Sequence, residues 1–318
     1  MIINEIISAI KLSQKIIISS HINPDGDCIG SSLALYIALK RMGKDVYIIL
    51  DDSIPEQYKF LPCCQDILHP EFLKNQDSDL FIVVDINETE RLGTSKNLLF
   101  KSEKTLCIDH HPSDNFFCDY NYVDPKASAA SELIYDVLKA LTVYIDTDIA
   151  NCLLTAIITD TGGFKYDNVT PYTFSVASRL LAKGAMLRKI NEMVFDKTSL
   201  PRIKLLPLVL STLATIEYGK IGYVFLNKQM LEKSGASDND SGGFVNYVKN
   251  IDGVEIALMF KIEKDGVRVS FRSKDYVDVN NIAVKFGGGG HKKASGCFIN
   301  KDYESVKYMI LDECRRNL

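Results

Sequence analysis

The sequence predicts an α/β protein of two domains: a doubly wound, mainly parallel sheet first, then a smaller α/β domain with a mixed sheet. Three observations lead to this prediction. Short apolar runs rich in β-branched residues alternate with helical patterns through the first half of the chain. Such near-continuous apolar strands are typical of a parallel sheet covered on both faces. After about residue 214 the pattern changes to hairpin-like pairs of strands.

Each element of the first domain has its own signal. The predicted strands are the apolar runs 16–20, 46–50, 80–85 and 105–109. A helix is predicted over 31–44, because apolar residues recur there at helical spacing and the segment ends in Met-Gly, a typical C-terminal cap. Further helices are predicted over 128–141, 148–158 and 171–184, and the N-terminal MIINEIISAIKLSQK has the pattern of an amphipathic helix.

The predicted domain limits follow from the change of pattern. They are 1–185 for the first domain, 186–214 for a helical linker and 215–318 for the second domain. The second domain opens with ATIEYGKIGYVFLN and continues with EIALMFKIEKDGVRVSFRS, where Asp-Gly marks a turn. Helices and a glycine run complete it.

Composition excludes several classes of protein. With 46% apolar and 25% charged residues, the 318-residue chain is typical of a globular protein. No apolar run reaches the roughly 18 residues of a membrane span, and no secretion signal is evident, so a cytoplasmic location is expected. The eight cysteines form no CxxC pair, which indicates buried thiols. A formal charge of −4 argues against coating long nucleic acid, but small anionic substrates would fit a local positive patch.

Aspartate and histidine residues collect where the predicted elements end. In open α/β sheets the ligand crevice lies beyond the carboxyl ends of the strands. The first strand leads into HINPDGD, the third ends in Asp85, the fourth continues as CIDHH, and the helix over 148–158 runs into TDTGGF. One edge of the sheet therefore gathers these residues: His21, Asp25, Asp27, Asp85, Asp109, His110, His111 and Asp160.

Four aspartates of this edge cannot all stay ionised side by side unless cations join them: Asp25, Asp27, Asp85 and Asp160. Two divalent ions would balance four carboxylates. Carboxylate oxygens with a minority of imidazole nitrogens and no thiolate suit Mn²⁺ best, Mg²⁺ next and Zn²⁺ less. A pair of such ions bridged by a carboxylate can activate water for attack on phosphorus. Each motif taken alone also has a structural explanation, as a turn, a helix terminus or a hydrogen-bonded polar cluster.

Five segments in order, HINPDGDCIGS, VVDINETERLG, CIDHH, TDTGGF and KFGGGGHKKASG, resemble the DHH phosphoesterases that carry a DHH-associated C-terminal domain. The resemblance covers nearly the whole chain. Its compact two-domain length is similar to the nanoRNase type, which also dephosphorylates pAp (3′-phosphoadenosine 5′-phosphate).

The resemblance implies a metal site with two ions. The first ion would be held by His21, Asp25 and Asp85. The second would be held by Asp27, Asp85, His110 and Asp160, so that Asp85 bridges the two. His111 would face the substrate phosphate while Asp109 supports the metal site. This division agrees with the alternation of side chains along a strand, which lets His110 and His111 take different roles.

The resemblance also implies catalytic and substrate contacts. The implied catalytic residues are His111, Asp109, Arg272 and His291. The implied substrate-binding residues are Arg272, Ser273, Lys274, Gly288, Gly289, Gly290, His291, Lys165 and Arg91. Arg272 offers a bidentate fork for phosphate, and the glycine loop over 287–290 would let backbone amides approach a second phosphate, although the run could also be only a flexible turn. Lys292 and Lys293 add positive charge. The glycine run lacks the GKS/T ending of a P-loop.

The implied activity is Mn²⁺-dependent hydrolysis of very short RNA and of pAp, in a cleft between the domains. Lys165 stands where the family often has Arg, which leaves its contact open. The alternatives are hydrolysis of pApA or cyclic di-AMP, a manganese pyrophosphatase, and a non-catalytic nucleotide sensor. The expected partners are short RNA and small nucleotides, with no long nucleic acid and no membrane. A homodimer through Leu205, Leu206, Leu208 and Leu210 is weighed against core packing of these side chains.

Overall fold

The structure, a computed structural model, describes residues 2–74, 76–112 and 116–318. The chain divides into two compact units, Met1–Lys197 and Thr198–Leu318. Each unit has its own six-stranded sheet, the first parallel and the second mixed, so the predicted fold class is confirmed. The functional division into two domains and a linker over 186–214 stays a prediction.

Six parallel strands form the sheet of the first unit. They are β1 (Lys15–Ser19), β2 (Asp45–Ile49), β3 (Ile67–Leu68), β4 (Leu80–Val84), β5 (Thr105–Asp109) and β6 (Tyr120–Val123). Their order is β3-β2-β1-β4-β5-β6, so the sheet changes its direction of growth between β1 and β4. Such a switch point is where open α/β sheets bind ligands. The two-residue β3 and the polar β6 were not predicted, because neither has an apolar run.

Seven α-helices are formed by the described residues of the first unit. They are α1 (Ile2–Leu12), α2 (Gly26–Arg41), α3 (Lys96–Leu99), α4 (Ala130–Ala140), α5 (Thr147–Asp160), α6 (Pro171–Ala182) and α7 (Leu187–Asn191). A π-helical turn, Glu192–Asp196, follows α7, and short 3₁₀ turns include Thr89–Ser95. The prediction that the second helix begins at residue 31 was wrong, because the Asp25 carboxylate caps the helix five residues earlier.

Helices α2 and α5 lie against each other with little between them. A Cβ on Gly30 would come within 2.4 Å of the Cys152 carbonyl oxygen, and a Cβ on Gly26 within 2.4 Å of the Thr159 side chain. The first turn of α2 therefore lies beside the last turn of α5, and the helices run antiparallel. This packing brings the Asp25 end of α2 to the Asp160 end of α5.

The second unit has a mixed sheet with helices. Its strands are β7 (Ala214–Ile216), β8 (Ile221–Leu226), β9 (Ile256–Glu263), β10 (Gly266–Ser273), β11 (Gly289–His291) and β12 (Ala294–Ile299), in the order β11-β12-β10-β9-β8-β7. Only β8 and β9 pair in parallel among these described strands. Its helices are α8 (Leu200–Leu210), α9 (Lys228–Ser234), α10 (Val245–Lys249), α11 (Val279–Lys285) and α12 (Tyr303–Arg316).

Side chains of β10 alternate between two faces of this sheet. Phe271 and its strand neighbours at alternate positions are buried in one core, with residues of α11 and α12. On the other face Ala257 and Met259 of β9 pack with α8 and α10, including Leu205. Leu205 thus packs in the core, and the homodimer stays a prediction. The β9–β10 turn is formed by Lys264 and Asp265, so the glycine of the predicted Asp-Gly turn already pairs in β10.

All eight cysteines are free thiols, and six of them are buried. Across the described ranges, no helix combines the length and apolar character needed to cross a membrane.

Candidate active site

The loop after β1 presents His21 and Asp25. Asp25 caps α2, since its carboxylate accepts hydrogen bonds from the amides of Asp27 and Cys28 at 3.1 Å. Nδ1 of His21 lies 2.8 Å from the Ile22 carbonyl oxygen, which assigns the proton to Nδ1. Nε2 is then the ligand nitrogen, 3.7 Å from Asp25 Oδ2 and 3.5 Å from Asp85 Oδ2.

Asp27 is buried and its carboxylate is held from two sides. It accepts a hydrogen bond from Ser31 Oγ at 2.8 Å within α2. It also accepts from the amides of Ala130 at 2.6 Å and Ser131 at 3.2 Å, in the first turn of α4. The N-terminus of a helix stabilises negative charge, so α4 holds this carboxylate in place.

Asp85 lies at the centre of the cluster. It follows β4 with a positive φ of 59°, a conformation that is uncommon for a residue with a side chain and often marks functional sites. Its Oδ1 lies 3.5 Å from both His110 Nε2 and His111 Nδ1. Both Asp85 Oδ1 and His110 Nε2 are buried with no hydrogen-bond partner among the described residues. Buried polar atoms of this kind are costly unless a ligand satisfies them.

The two histidines after β5 lie on the same side of the sheet edge. Their ring centroids are 4.6 Å apart, and both rings approach Asp85. The expected strand alternation does not apply, because β5 ends at Asp109. The Asp109 carboxylate accepts hydrogen bonds from the His110 amide at 2.8 Å and from His111 Nδ1 at 2.8 Å. His111 Nδ1 is therefore engaged by Asp109, although its distance to Asp85 would allow it to be a ligand.

His110 and Asp160 complete the cluster. Nδ1 of His110 lies 3.3 Å from the Ala127 carbonyl oxygen, which directs Nε2 to Asp160 Oδ2 at 3.5 Å and Asp27 Oδ2 at 3.7 Å. Asp160 is the last residue of α5. A carboxylate at a helix C-terminus is disfavoured by the helix dipole, so a nearby cation would stabilise it here.

The pKa shifts indicate that the carboxylates of the cluster outweigh its positive charges. Burial would lower the pKa of His21, but the carboxylates of Asp25 and Asp85 outweigh it and raise the pKa to about 10. At His110 burial is likewise outweighed by Asp85 and Asp27, and the pKa is about 10. Burial and the Asp85 carboxylate raise the pKa of Asp27 well above its ordinary value. Burial also raises the pKa of Asp160, to about 6, against the effect of His110.

Asp85 shows the opposite shift. Burial would raise its pKa, but the nearby imidazoles of His110 and His21, each 3.5 Å away, hold the pKa below its ordinary value. The Asp85 carboxylate is therefore the ionised centre around which the other groups are arranged.

Within the part of the chain that the structure describes, three overlapping groups of side chains could hold a metal ion. In each, the ligand atoms lie within 4.8 Å of one another; the groups are His21 with Asp25 and Asp85, Asp27 with His110 and Asp160, and Asp85 with His110 and His111. The donors are carboxylate oxygens and imidazole nitrogens, a set that suits a hard or borderline divalent ion. With the unpartnered buried atoms of Asp85 and His110, the residues fit a metal centre.

Arg272 and His291 lie on one face of the second sheet. His291 of β11 pairs with Ala294 of β12, which pairs with Arg272 of β10, so all three side chains point the same way. Two strand spacings separate Arg272 from His291, or about 10 Å. Arg272 donates a hydrogen bond to the Phe271 carbonyl at 2.8 Å. Ala294 lies between them on this face.

Half of the glycine run over 287–290 forms a strand instead of the expected loop. Gly289 and Gly290 pair with β12, as part of β11. A Cβ on Gly288 would come within 2.1 Å of the Gly296 carbonyl oxygen, and one on Gly290 within 2.6 Å of that of Ala294. Glycine is thus required at 288 and 290 by the approach of β12. Gly287 and Gly289 face open space: a Cβ on Gly287 would meet nothing within 4 Å, and one on Gly289 nothing nearer than Asn280 Oδ1 at 4.0 Å.

The remaining predicted substrate contacts lie in different settings. Ser273 is buried, and Lys274 is exposed. Lys165 is exposed in the turn after α5, with its amide bonded to the Thr161 carbonyl at 2.9 Å. Arg91 is half-buried in the 3₁₀ turn Thr89–Ser95, and its carbonyl accepts from the Ile22 amide at 2.7 Å. Arg91 thus braces the loop that carries His21.

Sequence reasoning missed Lys249 at the end of α10. Burial lowers its pKa, and the positive charges of Arg272 and Lys274 lower it further, so the three cations lie near one another. A site where like charges gather is suited to an anion. The segment around Lys249, NYVKN, has no motif that could have drawn attention to it.

Comparisons with known proteins match both units. Residues 15–157 match the family model of the DHH family, N-terminal domain, and residues 219–316 match that of the DHHA1 domain. The chain is similar to the bifunctional oligoribonuclease and PAP phosphatase NrnA of Thermus thermophilus. The two are 33% identical over 307 residues, which are 95% of this chain and 90% of that protein.

Solved structures are similar to the chain as well, and two of them show the range of the likeness. An exopolyphosphatase-related protein from Bacteroides fragilis superimposes with a TM-score of 0.95 and 29% identity, over 99% of this chain and 95% of that one. RecJ in complex with Mn²⁺ from Thermus thermophilus has a TM-score of 0.58 and 14% identity, over 98% of this chain and 53% of that one. At that identity the likeness to RecJ concerns the fold alone.

Proposed function

Since this chain belongs to the DHH family, we propose that it is a metal-dependent phosphoesterase that hydrolyses very short oligoribonucleotides to mononucleotides and dephosphorylates pAp. The observation that carries the proposal is the cluster around Asp85, in which buried ligand atoms of two histidines lie 3.5 Å from one carboxylate. The Thermus thermophilus relative, similar over 95% of the chain, is named for the same two activities.

Two divalent ions fit the ligands that the cluster offers. His21, Asp25 and Asp85 would hold one ion, and Asp27, His110 and Asp160 the other, with Asp85 adjacent to both. Mn²⁺ suits this mixture of carboxylate and imidazole, and the RecJ structure of the same fold is in complex with Mn²⁺. When bound, such ions neutralise phosphate charge and activate water for attack on phosphorus.

The chain's own residues would orient the substrate. Asp109 accepts a hydrogen bond from Nδ1 of His111 and so leaves Nε2 as the ring nitrogen that would face the substrate phosphate. Arg272 presents a planar fork for two phosphate oxygens. His291, on the same sheet face as Arg272, adds a further donor for a phosphate. Charge that builds on phosphate oxygens in the transition state would be stabilised by these donors.

The function is tested by comparing substrates. Purified protein with Mn²⁺ is incubated with a labelled RNA trimer, a labelled RNA of about 24 nucleotides, and pAp, and the products are separated by chromatography. We expect mononucleotide from the trimer and phosphate from pAp, with little cleavage of the long RNA. Faster turnover of pApA or cyclic di-AMP would mean that these dinucleotides, and not short RNA and pAp, are the main substrates. Turnover of pyrophosphate alone would point to a pyrophosphatase. Nucleotide binding without turnover would make the protein a sensor.

Arg272→Ala is expected to lower kcat/KM for pAp by at least about 100-fold. A charged hydrogen bond contributes roughly 1.5–3 kcal/mol, and Arg272 would make two of them to phosphate. The matched control is Arg268→Ala, which removes an arginine of the same strand and face that instead pairs with Glu263 at 3.1 Å. Steady-state kinetics check the prediction. Equal losses in the two variants would argue against a phosphate contact at Arg272.

Affinity for Mn²⁺ is expected to rise with pH. Without an ion, His21 and His110 are protonated at pH 7, because their pKa values are raised to about 10. A histidine binds metal as the neutral imidazole, so uptake of the ions displaces protons. At pH values below that pKa, the affinity for Mn²⁺ should increase about tenfold per pH unit for each proton that the ions displace. Calorimetry in two buffers of different ionisation enthalpy measures the proton release; affinity that is constant between about pH 6.5 and 8.5 would contradict the prediction.

A further inference from the structure

Asn168 links two segments of the first unit that lie 40 residues apart in the chain. It lies in the turn between α5 and α6, and its side-chain amide approaches three oxygens. Nδ2 is 2.8 Å from the Ser128 carbonyl, 3.2 Å from the Asp160 carbonyl and 3.4 Å from Asp160 Oδ2. The amide has two hydrogens, so it can bond Ser128 and still donate to Asp160.

The segment that Asn168 reaches, residues 127–132, contacts the rest of one candidate ion site. The carbonyl of Ala127 bonds Nδ1 of His110, and the amide of Ala130 bonds the Asp27 carboxylate. The buried Glu132 carboxylate accepts from the Ser128 amide at 3.2 Å and from its hydroxyl at 2.7 Å, which fixes the segment. Two ligands thus touch segment 127–132 directly, and the third, Asp160, is joined to it through Asn168.

A second observation also points to a ligand at this place. Oδ1 of Asn168 is buried and has no hydrogen-bond partner among the described residues. An unpaired buried acceptor costs roughly 1–3 kcal/mol, so a donor is expected there once the site is occupied. A water held at this ion site would be such a donor.

We propose that Asn168 is a positioning residue that holds Asp160 against segment 127–132, so that Asp27, His110 and Asp160 form one ion site. This inference rests on the proposed function, because it concerns the metal centre of that enzyme. An asparagine suits the position since it donates to Asp160 without adding charge. An aspartate there would remove the donor and place a second carboxylate beside the first.

The test is a Mn²⁺ titration of Asn168→Ala and of the isosteric Asn168→Asp. Electron paramagnetic resonance measures the free ion at each step of the titration. We expect the wild type to bind two ions. In both variants one ion should bind about 10–100-fold more weakly, as when the outer partner of a metal ligand is removed. The other ion, at His21, Asp25 and Asp85, should keep its affinity. His21→Ala should weaken that other ion instead, and the variant that combines it with Asn168→Ala should weaken both.

Asn121→Ala is the matched control. Asn121 also donates its amide to a backbone carbonyl, that of Cys118 at 2.7 Å, and also has a buried Oδ1 with no partner among the described residues. It should bind both ions as the wild type does. Two ions of unchanged affinity in both Asn168 variants, or an equal loss in Asn121→Ala, would overturn the inference. A wild type that binds no ion would instead refute the proposed metal-dependent function.

Discussion

Asp85→Asn is expected to reduce hydrolysis of pAp and of an RNA trimer by about 10³-fold or more, which corresponds to at least about 4 kcal/mol of transition-state stabilisation. Asp85 lies within 3.5 Å of ligand nitrogens from His21 and His110, so it is adjacent to both candidate ions. An amide has the same shape but no charge, and it binds divalent ions less well. Asparagine also tolerates the positive φ of this position, so the backbone should be unchanged.

The control for Asp85→Asn is Asp146→Asn. Asp146 caps the other end of α5 and pairs with Arg41 at 2.8 Å, about 20 Å along the helix from Asp160. This variant should lose some stability but keep its activity per folded molecule and its Mn²⁺ stoichiometry. Activity and bound Mn²⁺ are measured on samples matched by circular dichroism. Full activity in Asp85→Asn would remove the basis of the proposed metal chemistry.

Gly30→Ala is expected to destabilise the first unit by about 3 kcal/mol, through overpacking between α2 and α5. The added methyl group would lie 2.4 Å from the Cys152 carbonyl oxygen and 3.0 Å from the Ala156 Cβ. Relief requires the two helices to move apart. Because α2 carries Asp25 and Asp27 while α5 carries Asp160, such a movement would also weaken metal binding in the molecules that remain folded.

Thermal unfolding measures this effect, and a drop in Tm of roughly 10 °C is expected. Gly43→Ala is the control, because Gly43 has φ +79° but nothing within 4 Å of the added Cβ. It should cost only the roughly 1 kcal/mol of the left-handed conformation. If Gly30→Ala and Gly43→Ala have the same Tm, α2 and α5 do not pack as closely as the 2.4 Å contact requires.

Several features could be predicted because they depend on neighbours in the chain. The apolar runs at β1, β4 and β5 predict buried parallel strands, and the rule for their carboxyl ends predicts where Asp85 and Asp109 meet. The order of the motifs predicts the DHH family, which the comparisons confirm. The start of α2 was missed, although Asp25 is a good N-cap residue, because the loop motif was interpreted as ending before the helix.

Other features depend on residues that are distant in the chain. Asp27 is held by Ala130, 103 residues later, and Asn168 meets Ser128 across 40 residues. A sequence pattern contains no information on such pairs, because they arise only when separate elements pack. The same holds for Gly288 and Gly290, whose lack of a side chain is explained by the approach of β12.

The sequence by itself therefore determined the fold class, the family and the list of acids and histidines that gather at one sheet edge, because these follow from local periodicity and from the order of strands. Only the tertiary structure decided which nitrogen of each histidine faces the centre and which backbone groups hold each carboxylate. Hydrogen bonds a few ångströms long set these details, and their partners come from helices that meet only in the folded protein. The tertiary structure also decided which groups of the cluster are ionised, because burial and neighbouring charge shift the pKa values of Asp85 and Asp160 in opposite directions.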